Sequence, residues 1–238
     1  MNILITNDDG IESFGLTILR EVARKCYKNA NLFTVVSHRP MSGHGSAVSM
    51  KPLDDFEPEK QGDERLWVMR ARPADIIHFC LQNGDRLAPG TVFDGVLCGV
   101  NLGANVGADV YHSGTVAQAM TASTQYNVGA FAFAQEMPTT EPGDEKEDRK
   151  HFEGSVKYLE DFVRSTSFQP GECWNVNFPE GEPKGYEEAP VSHYSYWRTP
   201  SIEQLPRAKD ERSDITLLKR GFVTISELQL RVNPTVRF

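Results

Sequence analysis

No apolar run in this chain approaches the roughly 20 residues that a bilayer-spanning helix needs, so no membrane role is expected. The short apolar stretch Ile3–Ile5 has no basic leader and runs straight into two aspartates, unlike a secretory signal, so a cytoplasmic location is the expectation. Cysteine is sparse. Cys26, Cys80, Cys98 and Cys173 stand alone among apolar neighbours, with no Cys-x-x-Cys or Cys/His spacing, which disfavours zinc and disulfides. Basic residues are outnumbered 25 to 33, and a formal net charge of −8 leaves no basic face for a nucleic-acid polymer. A small anionic substrate is not excluded, because a bound cation inverts the local potential. No repeat period is visible, and no Gly-x-Gly-x-x-Gly follows the first apolar run, which disfavours a nucleotide-binding dehydrogenase.

What is present alternates strand-like and helix-like segments. MNILIT, LFTVVS (Leu32–Ser37), LWVMR (Leu66–Arg70), Phe93–Val100 and Gly129–Ala134 read as buried strands. Helices are expected at Leu16–Cys26, where apolar residues share one face, from Pro73 through Leu81, and across the alanine-rich Thr115–Tyr126. Such alternation predicts an α/β fold with a mostly parallel sheet covered on both faces. Composition changes at Glu136: EMPTTEPGDEKEDRK reads as a solvated loop, followed by a helix over His151–Arg164 and a strand at WNVNF (Trp174–Phe178). The division expected is therefore a core over 1–135 and, over 136–238, an acidic loop, the last core elements and an extension. That extension has β-like runs at Val191–Trp197 and Phe222–Leu230, and its composition suits packing on another surface, another subunit included.

In open parallel sheets ligands bind beyond the carboxyl ends of the strands. Four polar, glycine-bearing segments fall there: Asn7-Asp8-Asp9-Gly10, then Arg39 with Ser42, Gly43 and His44, then Asn101, Gly103 and Asn105, then Ser113-Gly114-Thr115 opening a helix. Adjacent aspartates point to opposite sides of a strand, but Gly10 permits a turn that brings both to one point. Two hard carboxylates with a hydroxyl and an amide carbonyl suit Mg²⁺ or Mn²⁺. From these four residues alone, an Asx turn capping the next helix is an equally good reading. Ser113-Gly114-Thr115 has its own pair of readings, helix capping or an anion cradle at a helix start. An acidic pair facing a helix start makes a phosphate site the more informative combination. His44 and His112 are candidates to protonate a leaving alkoxide, although an exposed loop histidine is usually only that.

ILITNDDGI, VVSHRPMSG, GVNLGANVGADVYHSGTVAQAM, WNVNFP and SDITLLKRGFVTISEL occur in an order that resembles the SurE family, the stationary-phase survival proteins that act as metal-dependent 5'/3'-nucleotidases. The resemblance implies a Rossmann-like three-layer fold with a C-terminal β-rich extension exchanged between subunits of a homodimer or homotetramer. It implies one divalent cation, Mn²⁺ or Mg²⁺, on Asp8, Asp9, Ser42 and Asn101, with Asp8 and Asp9 catalytic. Phosphate contacts would fall on Asn105, Ser113, Gly114 and Thr115, with a nucleoside monophosphate as substrate and an exopolyphosphatase side activity. This chain departs from the family pattern at Ala71-Arg72-Pro73, at Thr121 after the helix start, at His112 before Ser113, and at Cys98. None of these is an implied ligand, although a catalytically inactive nucleotide-binding member would carry the same ligands. An aspartyl-phosphate phosphatase needs an Asp-x-Asp spacing that is missing here. A receiver domain needs a strand-end aspartate further along, and Asp54 and Asp55 have no strand before them.

Overall fold

A computed structural model describes residues 1–62, 64–137, 145–196 and 211–229, with the backbone alone at 145–148. Its strands are β1 (Asn2–Thr6), β2 (Asn31–Ser37), β3 (Glu59–Lys60), β4 (Leu66–Met69), β5 (Gly95–Leu102), β6 (Ala130–Gln135), β7 (Cys173–Phe178), β8 (Tyr186–Glu188) and β9 (Val223–Glu227). Its helices are α1 (Phe14–Cys26), α2 (Pro73–Gln82), α3 (Gly114–Tyr126), α4 (Glu145–Ser165) and α5 (Asp214–Lys219).

All nine strands join one sheet, in the order β3-β4-β2-β1-β5-β6-β7-β9-β8. From β4 to β7 every pairing is parallel, while β3 and β9 run antiparallel to β4 and β7. Because side chains alternate along a strand, each central strand feeds two cores. In β1, Leu4 enters the layer under α2 and α3, whereas Ile3 and Ile5 enter the layer under α1. In β6 the alternation is by size: Ala130 and Ala132 make room for α3, and Phe131 and Phe133 pack with Phe162 of α4. The small side chains let α3 lie close to the sheet, and nine residues of this helix are buried.

The chain winds outward from β1 to β2 and β4, then crosses back to β5 on the other side of β1. The carboxyl ends of β1 and β5 therefore form the topological switch point, where a crevice opens in sheets of this kind. β5 runs on to Leu102, past the expected end at Val100, after a register shift against β6 between Cys98 and Asn101. Asn101 is thus held at a paired strand end and is not on a free loop.

Towards the C-terminus the β-like run expected at Phe222–Leu230 holds β9. The segment expected to pack on another surface contributes β9 and β8 to the same sheet, through the pairs Val176↔Ile225 and Glu187↔Thr224. Val223 and Ile225 join the α1/α4 core layer. Short strands of this kind are stabilised by a partner distant in sequence, so local composition understates them. Of the run expected at Val191–Trp197, the described part forms only an isolated bridge, Ser195 with Gly107. Trp197, Leu230 and positions 138–144 of the acidic segment lie outside the described residues.

Candidate active site at the β1–β5 switch point

Asn7, the first residue after β1, closes its turn with its own side chain: Nδ2 donates to the Gly10 carbonyl (2.9 Å), and Oδ1 accepts from the Gly10 amide (3.2 Å). Gly10 has φ +91°, a left-handed conformation that glycine adopts without strain. The Asx-type turn is therefore real, and it serves to present the two aspartates. Gln118 of α3 steadies it from beneath, donating from Nε2 to Thr6 Oγ1 (2.7 Å), the Asn7 carbonyl (3.4 Å) and the Pro73 carbonyl (3.3 Å).

Asp8 is buried, and its Oδ1 accepts the Thr115 hydroxyl at 2.5 Å. The start of α3 closes over it so tightly that a Cβ on Gly114 would sit 2.6 Å from Asp8 Oδ2 and 2.8 Å from Asp8 Cβ. Burial raises the Asp8 pKa, opposed by the Thr115 hydroxyl and by backbone amides that include those of Gly114 and Thr115. Asp9 accepts the Leu102 amide on Oδ2 (3.3 Å). Its pKa is pushed up to about 7 by burial and then by the neighbouring Asp8 charge. No cationic side chain forms an ion pair with either carboxylate among the described residues.

A pocket of about 410 Å³ lies over this pair, lined by Asp8, Ser42, Gly43, Asn101, Leu102, Asn105, Ala108, Asp109, His112, Ser113 and Ser195. Three of the four expected metal ligands line it, and Asp9 sits beside it against Leu102. Asn101 directs Nδ2 to the Gly103 carbonyl (2.7 Å) and to Asn105 Oδ1 (3.5 Å), which leaves its own Oδ1 for a cation. Ser42 rides on a loop pinned by the Met41 amide on the Asp8 carbonyl (2.7 Å) and the Gly45 amide on the His112 carbonyl (3.0 Å). Further along, that loop is tied to α2 by the Ser49 amide on Asp75 Oδ1 (2.9 Å) and by Arg72 Nη1 on the Val48 carbonyl (2.7 Å). Arg72, one of the departures from the family pattern, is thus a tether for this loop.

The expected phosphate contacts divide into two pairs. Asn105 and Ser113 line the pocket; Gly114 and Thr115 pack on Asp8. Ser113 also caps α3, its Oγ accepting from the Val116 amide (3.1 Å), so the capping reading of that triplet holds as well. Asn105 is 7% exposed, and its Nδ2 is buried without a hydrogen-bond partner among the described residues. His112 lines the pocket, whereas His44, whose Nδ1 contacts the Met41 carbonyl (2.9 Å), does not. Sequence reasoning gave no role to Gln118, Asp109, Ser195 or the asparagines of β7. Only the last had a visible signal, two amides at i and i+2 in an otherwise apolar strand.

The donor set is two carboxylates, a hydroxyl and an amide, and among the described residues no group of three or more His, Cys, Asp or Glu gathers that could hold a metal. Oxygen donors of this kind fit a hard divalent cation and not zinc. The family model "Survival protein SurE" matches residues 3–199. The chain belongs to the SurE family. It is 31% identical over 252 residues to the 5'-nucleotidase SurE of a Nitratiruptor species, covering 95% of this chain and 93% of that one. It is 28% identical over 251 residues to the 5'-nucleotidase SurE of Haemophilus influenzae, covering 96% and 91%. The crystal structure of the SurE protein from Aquifex aeolicus superposes with a TM-score of 0.75 at 22% identity, over 98% of this chain and 95% of that one, which shows a shared fold. In this SurE chain, the switch-point crevice of the α/β fold carries both the acidic pair and the buried amide of Asn105.

Proposed function

We propose that this SurE chain is a divalent-cation-dependent phosphomonoesterase that hydrolyses nucleoside 5'-monophosphates to nucleoside and phosphate. The observation that carries this reading is the two-sided pocket: a buried Asp8 and part-buried Asp9 that form no ion pair among the described residues, and the buried amide donor of Asn105, which has no hydrogen-bond partner among them. The first wall asks for a cation and the second for an anion. A phosphate ester with its metal satisfies both. The names of the curated relatives, 5'-nucleotidase SurE in each case, supply the nucleoside part.

Asp8, Asp9, Ser42 and Asn101 would hold one Mn²⁺ or Mg²⁺. Bound there, the cation supplies Lewis acidity towards water and a phosphoryl oxygen. The chain's own residues do the rest. Thr115 and the start of α3 fix the direction of Asp8, and Leu102 fixes Asp9 Oδ2, which leaves Asp9 Oδ1 to orient a water and take its proton. Asn105 Nδ2 and the Ser113 hydroxyl donate to phosphoryl oxygens and stabilise the charge that grows on them. His112, at the pocket wall, would protonate the leaving alkoxide. Hydrolysis of 3'-monophosphates and polyphosphate, a homodimer or homotetramer, and a cytoplasmic location belong to the same proposal and rest on the family resemblance. No helix among the described residues is long and apolar enough to cross a membrane.

The test is a panel of nucleoside 5'- and 3'-monophosphates, p-nitrophenyl phosphate and short polyphosphate, each assayed for phosphate release with Mn²⁺, Mg²⁺ or chelator. Cation-dependent release, strongest on a nucleoside 5'-monophosphate, is expected. No release from any substrate with any metal overturns the enzyme reading and favours a nucleotide-binding protein.

A further inference from the structure

β7 is apolar at Val176 and Phe178, yet it buries two asparagines, Asn175 and Asn177, without measurable exposure. Spaced by two on a strand, they face the same way. Buried amides are unfavourable unless hydrogen-bonded, and both of these direct their bonds to a single distant residue. Asn177 Oδ1 accepts from the Asn105 amide (2.7 Å), and Asn177 Nδ2 donates to the Asn105 carbonyl (3.1 Å). Asn175 Nδ2 donates to that same carbonyl (2.7 Å). Asn175 Oδ1 is left buried with no partner among the described residues, so its place is set by the loop it grips and not by its own full satisfaction.

Three bonds from a rigid central strand fix where the Asn105 backbone stands. Asn101 Nδ2 lies 3.5 Å from Asn105 Oδ1, on the side that turns Oδ1 towards Asn101. What remains is Nδ2, a buried donor with no partner among the described residues, on a residue that lines the pocket. A loop that needed only anchoring would have no reason to leave that donor unmet at its most constrained point. We propose that Asn175 and Asn177 are positioning residues that hold Asn105 Nδ2 as a preset donor for an oxygen of a phosphate group. This role rests on the phosphate-ester reading of the same pocket. Preorganised donors of this kind stabilise developing charge without having to rearrange.

The probe is inorganic phosphate on Mn²⁺-loaded protein, followed by calorimetric titration and as a competitive inhibitor of p-nitrophenyl phosphate hydrolysis. The variants are Asn105→Ala, Asn177→Ala, Asn175→Ala and the Asn105→Ala/Asn177→Ala double, each with its Tm measured. Asn105→Ala and Asn177→Ala are expected to weaken phosphate binding by a similar factor, about tenfold, and Asn175→Ala by a few-fold. The double variant should bind no more weakly than Asn105→Ala alone, because the clamp acts through Asn105. Tm separates this from a structural role: Asn177→Ala should lower it in both backgrounds, whereas its effect on phosphate vanishes in one. If Asn177→Ala does not fold, Asn175→Ala, which keeps both Asn177 bonds, carries the test alone. Unchanged phosphate affinity in the β7 variants, or additive losses in the double, overturns the clamp and leaves the phosphate reading standing. Wild-type protein that neither binds nor releases phosphate overturns both.

Discussion

Replacing Gly114 by alanine tests the packing that fixes Asp8. The added Cβ would lie 2.6 Å from Asp8 Oδ2, 2.8 Å from Asp8 Cβ and 3.0 Å from Asp8 Cγ. Ordinary contact begins near 3.4 Å, so Asp8 or the start of α3 must move by about 0.8 Å. Two effects on stability oppose each other. Gly114 does not have a positive φ, so alanine suits the backbone and gains up to about 1 kcal/mol in helix propensity. Overpacking costs about 1–3 kcal/mol. The net is a loss of at most about 3 kcal/mol, a fall in Tm of up to about 10 °C. Catalysis has no such compensation, because a misplacement near 1 Å at a reacting centre costs on the order of 10²-fold. Gly114→Ala should therefore still fold, with Tm lowered by no more than about 10 °C, while kcat/KM for a nucleoside 5'-monophosphate falls about 100-fold. A variant with wild-type kcat/KM would refute the claim that the start of α3 sets the position of Asp8.

Three further outcomes follow from the same geometry. Without a cation, stability should fall as pH rises: the Asp9 pKa of about 7 exceeds the unfolded value near 3.9, so its contribution is complete below pH 4 and lost through pH 7. At about 1.4 kcal/mol per pH unit this is at most about 4 kcal/mol, an upper limit because Asp9 is only part-buried. Denaturant melts between pH 4 and 8 should show that slope in chelator, lose it with Mn²⁺ and become shallower in Asp9→Asn, where the raised pKa of Asp8 keeps part of it; a slope unchanged by Asp9→Asn would assign it elsewhere. Asp8→Asn should raise the metal-free Tm, by removing a buried carboxylate that has no counter-charge, while lowering kcat at least 100-fold; a lower Tm would contradict the electrostatic account. Gln118→Leu leaves the Asn7 carbonyl and Thr6 without their donor, so it should cost about 1–3 kcal/mol and reduce kcat more than it raises KM, and unchanged kinetics would remove Gln118 from the support of the acidic turn.

The sequence exposed those parts of this SurE fold that local chemistry determines. Ile3–Ile5 and Phe131 to Phe133 read as strands because their apolar character is continuous, and Pro73 marked the start of α2 because proline is tolerated in a first turn. Glu59–Lys60 and Tyr186–Glu188 were missed, since each is too short and too polar to carry a pattern of its own and takes its strand form from a partner, β4 close by or β9 far along the chain. The acidic pair was legible from its adjacency to Gly10. Its packing was not, because the contact between Asp8 and Gly114 joins residues more than 100 positions apart. Asn105 was named, but the three bonds that hold it come from β7, and only the three-dimensional pairing of loop and strand shows them.

Titrating Mn²⁺ into chelator-treated protein while following phosphate release from a nucleoside 5'-monophosphate, with Asp9→Asn in parallel, tests whether the acidic pair and its cation carry the hydrolysis. No release is expected before metal, then a saturable rise to one equivalent of tightly bound Mn²⁺ per chain, with at least a 100-fold smaller plateau in Asp9→Asn. Full release in chelator, or an Asp9→Asn plateau equal to wild type, would contradict that role.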